Sequence, residues 1–269
     1  TSISKLADDI NRLYEANGFT SKQASLSIDS DLVLIKKIPV DSSLQGDDLK
    51  EHIEWEFGQM MISPLNHFII DFEALNGDNE GAPNEGEVVA VSIRKSLVDY
   101  MREVFASTEL ILRSIDVDVF AAHRVITDTN GYTPGKKVAL IDVRHSGIQF
   151  SIVNQGFYCV LDVTNPADEG LEVGENRDEQ LARLVSKELR RLVIDNKLGK
   201  NIEDLDQVLV YGDKISSGLI DVLSQAHNVP IELLDPFQKV DIDHENIENN
   251  LNEHPEAFVT SLGAAIKGF

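Results

Sequence analysis

The densest group of metal-ligating side chains in the sequence lies at residues 241–245, where two aspartates, a histidine and a glutamate are interrupted by one isoleucine. Carboxylates and imidazoles are ligands that divalent cations accept in proteins. The run is acidic, is followed by an asparagine-rich stretch, and has no partner cluster that would complete a coordination sphere. We therefore predict a solvated loop there rather than a metal centre.

Several other residues could act in catalysis or ligand binding, and each of them also has a purely structural interpretation. Asp116 and Asp118 alternate with apolar residues, as in any half-exposed strand. Asp142 ends an apolar run and could orient a metal ion or water, although a strand-terminal aspartate is more often a turn or cap former. Gly212 and Gly218 suit turns and close packing more often than nucleotide contacts. The sequence has no Gly-x-Ser-x-Gly elbow, no Walker-type phosphate loop and no His-x-x-x-His pair.

Three bulky or basic residues could also take part in binding. Arg144 and His145 could bind an anion, but a solvated loop pair is the favoured interpretation. Trp55 lies within a predicted helix, where a tryptophan is most often a core anchor, and a groove for a partner is the alternative.

The spacing of apolar residues predicts the elements that hold these positions. Helices are predicted over 1–18, 47–61, 96–105, 119–127, 176–195, 217–227 and 257–267, and strands over 24–29, 32–40, 67–72, 89–93, 110–117, 137–142, 147–154, 156–163, 207–211 and 230–234. The turn composition of residues 29–31 predicts a hairpin between the first two strands, and 76–87 reads as the exposed loop of a second hairpin. Strands alternating with helices favour an α/β fold, with a β-meander opening a second lobe near residue 137.

Composition narrows the functional classes. The 269 residues are 42% apolar, enough to supply a real core. The chain has 24 basic against 46 acidic residues, and the net charge of −22 disfavours nucleic acid and anionic membrane surfaces and favours neutral or basic partners. One cysteine, Cys159, excludes an internal disulfide and fits a reducing compartment. No run approaches the roughly 18 apolar residues of a membrane span, so we expect a cytoplasmic protein without direct membrane insertion.

Several segments, in order, resemble the PilM family of bacterial type IV pilus assembly, which has the actin-like ATPase, ribonuclease H-like superfold. They are Ile38-Pro39, residues 53–57 (Ile-Glu-Trp-Glu-Phe) with Ser63-Pro64, Asp71-Phe72, Asp235-Pro236-Phe237 and residues 259–268. The resemblance implies two lobes. Residues 1–128 would form the first, with an inserted small subdomain like that of FtsA and PilM, and residues 129–269 the second.

A phosphate-binding hairpin is the first part of a nucleotide site that the resemblance implies. Residues 138–143 and the strand that follows resemble this hairpin of actin-like ATPases, in which glycine lets backbone N–H groups approach phosphate and aspartate organises a metal-bound water. Asp142 and Gly147 would hold those two roles. Arg144 and His145 stand where glycine and a small residue are expected, so the resemblance implies a degenerate site.

An adenosine-binding turn is the second part. Residues 206–223 resemble the adenosine motif of the same superfold, with Gly212 and Gly218 as the contacts to nucleotide. The usual glycine pair is reduced here, because Asp213 follows Gly212. The family's first phosphate hairpin would lie before Thr1, so we expect the chain to lack half of the phosphate clamp.

The resemblance implies an interaction protein rather than an enzyme. We expect a cytoplasmic scaffold of a type IV pilus or related secretion machine, held at the inner membrane by a partner whose cytoplasmic tail it binds. The sequence leaves undecided whether the protein forms a homodimer. No catalytic residue, metal or cofactor is expected. The alternatives are a working actin-like protein that binds and hydrolyses ATP with Mg²⁺, and the cytoplasmic domain of a type II secretion L-type protein.

Overall fold

The computed structural model describes residues 2–41, 43–75, 85–129, 132–154, 157–164, 177–240 and 253–267, with side chains for all but 85 and 157–164. In chain order, the helices and strands are α1 (Ile3–Ala16), β1 (Gln23–Ile28), β2 (Val33–Asp41), α2 (Gly46–Gly58), β3 (Phe68–Leu75), β4 (Glu85–Arg94), α3 (Lys95–Ala106), β5 (Ile111–Val117), α4 (Asp118–Asp128), β6 (Lys137–Val143), β7 (Ile148–Asn154), β8 (Phe157–Thr164), α5 (Arg177–Asp195), β9 (Gln207–Tyr211), α6 (Ser217–Ala226), β10 (Ile231–Leu233) and α7 (Val259–Lys267). The chain divides into two compact units, residues 1–118 with 267–269, and residues 119–266.

The first unit contains two separate sheets. Strands β1 and β5 form a parallel pair, and β2, β4 and β3 form an antiparallel sheet with β4 in the centre. Helix α2 buries Ile53 and Phe57 in a small core with Ile38 of β2 and with Val88 and Ala90 of β4. The three-stranded sheet and α2 thus carry a core of their own.

The hairpin predicted for the first two strands is wrong. β1 pairs with β5 and β2 pairs with β4, so the two strands belong to different sheets. A short 3-10 turn, Ser30–Leu32, joins them, and the Asp29 side chain accepts a hydrogen bond from the Asp31 N–H to cap it. The same residue types make hairpin turns and sheet-to-sheet connections, so turn composition cannot tell the two apart.

The second predicted hairpin is confirmed, because β3 and β4 pair antiparallel. Its loop was predicted over residues 76–87. The structure instead begins β4 at Glu85, and residues 76–84 lie outside the described part of the chain.

The second unit is a layered α/β domain around a five-stranded sheet in the order β10-β9-β6-β7-β8. β6, β9 and β10 run parallel, and β6, β7 and β8 form the predicted antiparallel meander. Along β6, Ile141 belongs to the core formed with α5 and α6, whereas Leu140 belongs to the core formed with α4 and α7. A strand buried on both faces reads as a continuous apolar run, which is why residues 137–142 were recognisable from the sequence.

Helix α4 belongs to the second unit by its contacts. The boundary between units falls at residue 118, whereas the sequence interpretation placed the lobe boundary after residue 128. Ala122, Val125 and Ile126 of this helix pack into a core with β6 residues such as Leu140. The helix follows β5 directly, so its sequence position gave no sign that its apolar face is buried in the later unit.

Helices α4 and α7 approach closely at Gly263. A Cβ at this position would lie 2.0 Å from the carbonyl oxygen of Ala121. We predict that Gly263→Ala destabilises the protein by roughly 2 kcal/mol, because overpacking outweighs the gain in helix propensity. Chemical unfolding measures this. In the control Gly58→Ala the new methyl meets only the Leu65 side chain, at 3.5 Å, and we expect little change. Equal effects of the two substitutions would contradict the prediction.

The turn before β9 depends on an ionised carboxylate. Asp204 accepts hydrogen bonds from the backbone N–H groups of Lys200 (2.6 Å) and Asn201 (3.1 Å), and these lower the pKa of Asp204. A lowered folded-state pKa gives stability that is present above the unfolded pKa of about 3.9 and is lost as the pH falls through the folded pKa. We predict that Asp204→Asn weakens the fold at neutral pH, with a difference from wild type that shrinks below about pH 4.

Urea midpoints measured across pH test this prediction. Asp221→Asn, at an exposed position of α6, is the control and should give a difference that does not depend on pH in this way. A gap between Asp204→Asn and wild type that stays constant down to pH values below about 3 would contradict the assignment.

Candidate functional site

Three of the sequence-predicted site residues lie at the carboxyl-terminal ends of β6 and β9. Asp142 is aligned with Tyr211 in the parallel β6–β9 pair, so Gly212 follows at the same edge of the sheet. Gly147 lies in the turn from β6 to β7, where its carbonyl accepts a hydrogen bond from the Arg144 N–H at 2.9 Å. This edge is where open α/β sheets hold their ligands.

Asp142 is buried and forms an ion pair within the chain. Arg144 Nε lies 3.4 Å from Asp142 Oδ2, and the two side chains are only 18% and 3% exposed. Arg144 Nη2 also donates to Gln149 Oε1 at 2.8 Å, and Gln149 is the residue aligned with Asp142 across the β6–β7 pair. The solvated loop interpretation is therefore wrong for Arg144, whereas His145 is exposed as expected.

Gly212 allows the loop after β9 to press against the end of β6. Its φ is +121°, and a Cβ there would lie 2.4 Å from the Val143 carbonyl oxygen and 2.7 Å from Asp142 Oδ1. The Lys214 N–H donates to the same Val143 oxygen at 3.1 Å. Only glycine fits this conformation and this space. The contact of Gly212 with nucleotide stays a prediction.

Gly218 allows a similar approach at the start of α6. A Cβ there would lie 2.2 Å from Asp178 Oδ2, in the first turn of α5. Ser216 caps α6 by accepting a hydrogen bond from the Leu219 N–H at 3.3 Å, and its hydroxyl lies 2.6 Å from Asp178 Oδ1. A carboxylate near a helix N-terminus is favoured by the helix dipole. The chain thus supplies its own anion at the start of α6.

The fold class implies Mg²⁺ with a nucleotide at the sheet edge, and the residues there do not suit it. Mg²⁺ requires oxygen ligands in near-octahedral geometry, and a permanently charged guanidinium beside the carboxylate repels a second cation. Asp142 and Gln149 both direct an oxygen at Arg144. In the part of the chain that the structure describes, no group of three or more histidine, cysteine or carboxylate side chains could hold a metal ion, and residues 241–245 lie outside that part.

A serine, a histidine and a glutamate form a cluster that the sequence did not reveal. Ser186 Oγ lies 2.7 Å from His227 Nε2, and His227 Nδ1 lies 3.2 Å from Glu203 Oε1. The backbone hydrogen bond at Glu203, and then the bond from His227, lower the pKa of Glu203. Ser186 lies in the middle of α5, where backbone N–H groups are used by the helix and cannot stabilise an oxyanion. We therefore assign the cluster a structural role, in which its hydrogen bonds hold together α5, the end of α6 and the turn at residue 203.

The expectation of a half-exposed strand at Asp116 and Asp118 is wrong, because both carboxylates are buried. Lys267 Nζ lies 3.1 Å from Asp116 Oδ1, and the Ser30 hydroxyl lies 3.5 Å from Asp118 Oδ2. Burial requires such partners, since an unpaired charge away from water is costly. Their partners lie far away in sequence, so strand periodicity could not reveal the burial.

Trp55 on α2 is not the core anchor that was expected. Its side chain is 58% exposed, while Ile53 and Phe57 point into the core. Two residues of helix correspond to about 200°, which places Trp55 opposite the buried face. The His52 ring stacks beside the indole, with the ring centroids 6.4 Å apart.

Two exposed carboxylates, Asp48 and Glu51, lie seven and four residues before Trp55, which places them on the same side of α2. We call Asp48, Glu51 and Trp55 the acidic tryptophan face. Large exposed apolar side chains beside carboxylates are typical of protein interaction sites.

Comparison with known proteins identifies a family and solved structures of similar fold. The model of the family described as type IV pilus assembly protein PilM matches residues 1–160. The PilM–PilN type IV pilus biogenesis complex matches with a TM-score of 0.79 at 18% identity, over 98% of this chain and 85% of that chain. The predicted α/β fold of the actin-like ATPase class is confirmed.

Two further solved structures are more distant. A Bacteroides thetaiotaomicron protein with an actin-like ATPase fold and unknown function gives a TM-score of 0.47 at 12% identity, over 89% of this chain and 79% of that chain. The cytoplasmic domain of EpsL, from the type II secretion system of Vibrio cholerae, gives a TM-score of 0.40 at 9% identity, over 79% of this chain and 77% of that chain. Among the described residues, no helix is long and apolar enough to cross a membrane.

The ion pair at the sheet edge can be tested by a double-mutant cycle. We predict that Arg144→Ser destabilises the protein by about 3 kcal/mol, because it removes the guanidinium from a buried carboxylate. The double variant Asp142→Asn, Arg144→Ser should lose less stability than the sum of the losses of the two single variants, because the carboxylate charge that needed a partner is gone. Urea unfolding of the four proteins measures the coupling. Strictly additive effects would contradict the pairing.

Proposed function

This chain belongs to the type IV pilus assembly protein PilM family and acts in pilus assembly, and from that premise we propose a scaffold function. The scaffold binds the cytoplasmic tail of an inner-membrane partner, which holds it at the cytoplasmic side of that membrane. The solved relative supports the proposal, because it is a complex of PilM with a second pilus protein, PilN. The acidic tryptophan face is the surface we assign to the tail.

The exposure of Trp55 is the observation that carries this assignment. Tryptophan combines a large apolar area with little conformational entropy to lose, and it is enriched among the residues that dominate binding energy. The Trp55 ring is more than half exposed on a helix whose opposite face already supplies the local core. This exposure supports the assignment of Trp55 to a binding surface.

Charge favours a basic occupant. Asp48 and Glu51 lie beside the indole, and the whole chain carries a net charge of −22. The cytoplasmic segments next to membrane-spanning helices are rich in lysine and arginine. A tail of this kind can pair with the carboxylates and place a cation over the Trp55 ring.

ATP binding with Mg²⁺ is the alternative function for this fold. The alignment of Asp142 with the end of β9 and the close approach of Gly212 favour it, because they preserve the layout of a phosphate-binding edge. The guanidinium of Arg144 between Asp142 and Gln149 is the observation against it.

Purification from membranes identifies the partner and tests the scaffold. We expect the full chain to retain a bitopic inner-membrane protein with a basic cytoplasmic segment, and a peptide copying that segment to bind with an affinity that falls as salt rises. Retaining no such membrane protein would overturn the proposal. Trp55 is the only tryptophan, so its emission should shift to shorter wavelength as the peptide covers it.

Substitutions locate the tail on the acidic tryptophan face. We predict that Trp55→Ala weakens peptide binding by about 30-fold, the effect of losing a dominant interface residue, with little change in folding stability. Leu13→Ala, at an exposed position of α1, is the matched control and should leave binding unchanged.

A charge reversal tests the electrostatic part. Glu51→Lys should weaken binding and flatten its salt dependence, whereas Glu15→Lys, exposed near the end of α1, should do neither. Binding that survives both Trp55→Ala and Glu51→Lys would place the tail on another surface, although the scaffold function would stand.

A further inference from the structure

At the edge of β6 and β9, Asp142 and Gln149 both lie against a positive charge of the chain itself, the Arg144 guanidinium. We propose that Arg144 is a built-in substitute for the divalent cation of a nucleotide site, so that the second unit assembles this edge without Mg²⁺ or ATP. This inference concerns the second unit alone and does not rest on the binding of a partner tail.

The first step is the geometry around the guanidinium. Arg144 lies 3.4 Å from Asp142 and 2.8 Å from Gln149, so it bridges side chains of two adjacent strands. A metal ion between a carboxylate and an amide oxygen would contact the same two groups. Because arginine stays charged at every pH at which proteins fold, this cation cannot be titrated or lost by dissociation.

The second step is the burial of Asp142. Its carboxylate is 3% exposed, and a charge so far from water needs a cation nearby. In a metal-dependent site that cation arrives with the ligand, so the empty site would carry an uncompensated charge. Here Arg144 is two residues further along the chain, and the compensation forms as β6 and β7 pair.

The third step concerns the other charge of a nucleotide, its phosphate. The N-terminus of α6 would attract an anion, but Asp178 already lies there, 2.6 Å from the capping hydroxyl of Ser216. A phosphate at this place would meet a like charge. A magnesium nucleotide would therefore find a cation where its metal belongs and an anion at the helix N-terminus.

Thermal unfolding with and without Mg²⁺ tests the inference on the full chain. We expect millimolar Mg²⁺, ATP or both to leave the melting temperature of the wild type unchanged. In Arg144→Ser, which removes the guanidinium from Asp142 and Gln149, Mg²⁺ should raise the melting temperature by roughly 3 °C or more relative to the same variant with a chelator. Arg144→Lys keeps a cation and should show no such rise.

The controls separate this effect from a change in net charge. Arg183→Ser removes an exposed arginine of α5, and Mg²⁺ should not stabilise it. If Arg144→Ser does not fold, Arg144→Gln gives the same measurement. Stabilisation of the wild type by Mg²⁺ or Mg-ATP would overturn the inference, and so would the lack of any Mg²⁺ response in the folded uncharged variants.

Discussion

The burial of one carboxylate, that of Asp142, constrains the loops at one edge of the sheet in the second unit. Asp142 is the next-to-last residue of the central strand of a five-stranded sheet, and its carboxylate limits which residues fit beside it. On one side the Arg144 side chain supplies a positive charge next to the carboxylate. On the other side residue 212 must be glycine, because a Cβ there would collide with Asp142. The loops at this edge therefore follow from the need to pair a charge that water cannot reach.

Short-range chemistry explains how much of the fold the sequence could predict. Residues 207–211 and 137–142 were recognised as strands because a strand covered on both faces reads as a nearly continuous apolar run, here residues 208–211 and 138–141. The helix at α5 was recognised from its 3.6-residue period. The partner of each strand was less accessible, and β1 was assigned to β2 because the turn residues between them suit a hairpin and a sheet-to-sheet connection equally well.

The candidate site residues also divide into those that the sequence located and those whose role it missed. Asp142, Gly147 and Gly212 were singled out because the segments around them resemble the phosphate hairpin and the adenosine turn of actin-like ATPases, and the structure places all three at one edge of the sheet. The role of Arg144 was missed, since its partners lie on two strands and sequence adjacency suggested an exposed pair with His145. Trp55 was assigned to the core from its residue type, although its position two residues from both Ile53 and Phe57 places it on the opposite side of the helix. That spacing was the signal in the sequence that could have located it.

Gly263 also bears on the order in which the chain can fold during synthesis. The apolar side of α4 is covered in part by Val259 of α7, and Gly263 lies against the backbone of the same helix. A ribosome releases α4 long before α7, so the part of this side that α7 covers stays exposed while β6 to β10 are being made. Contacts between such distant segments form late and slow folding. Chaperones that hold exposed apolar surface would thus meet α4 on nascent chains, and release it once α7 has emerged.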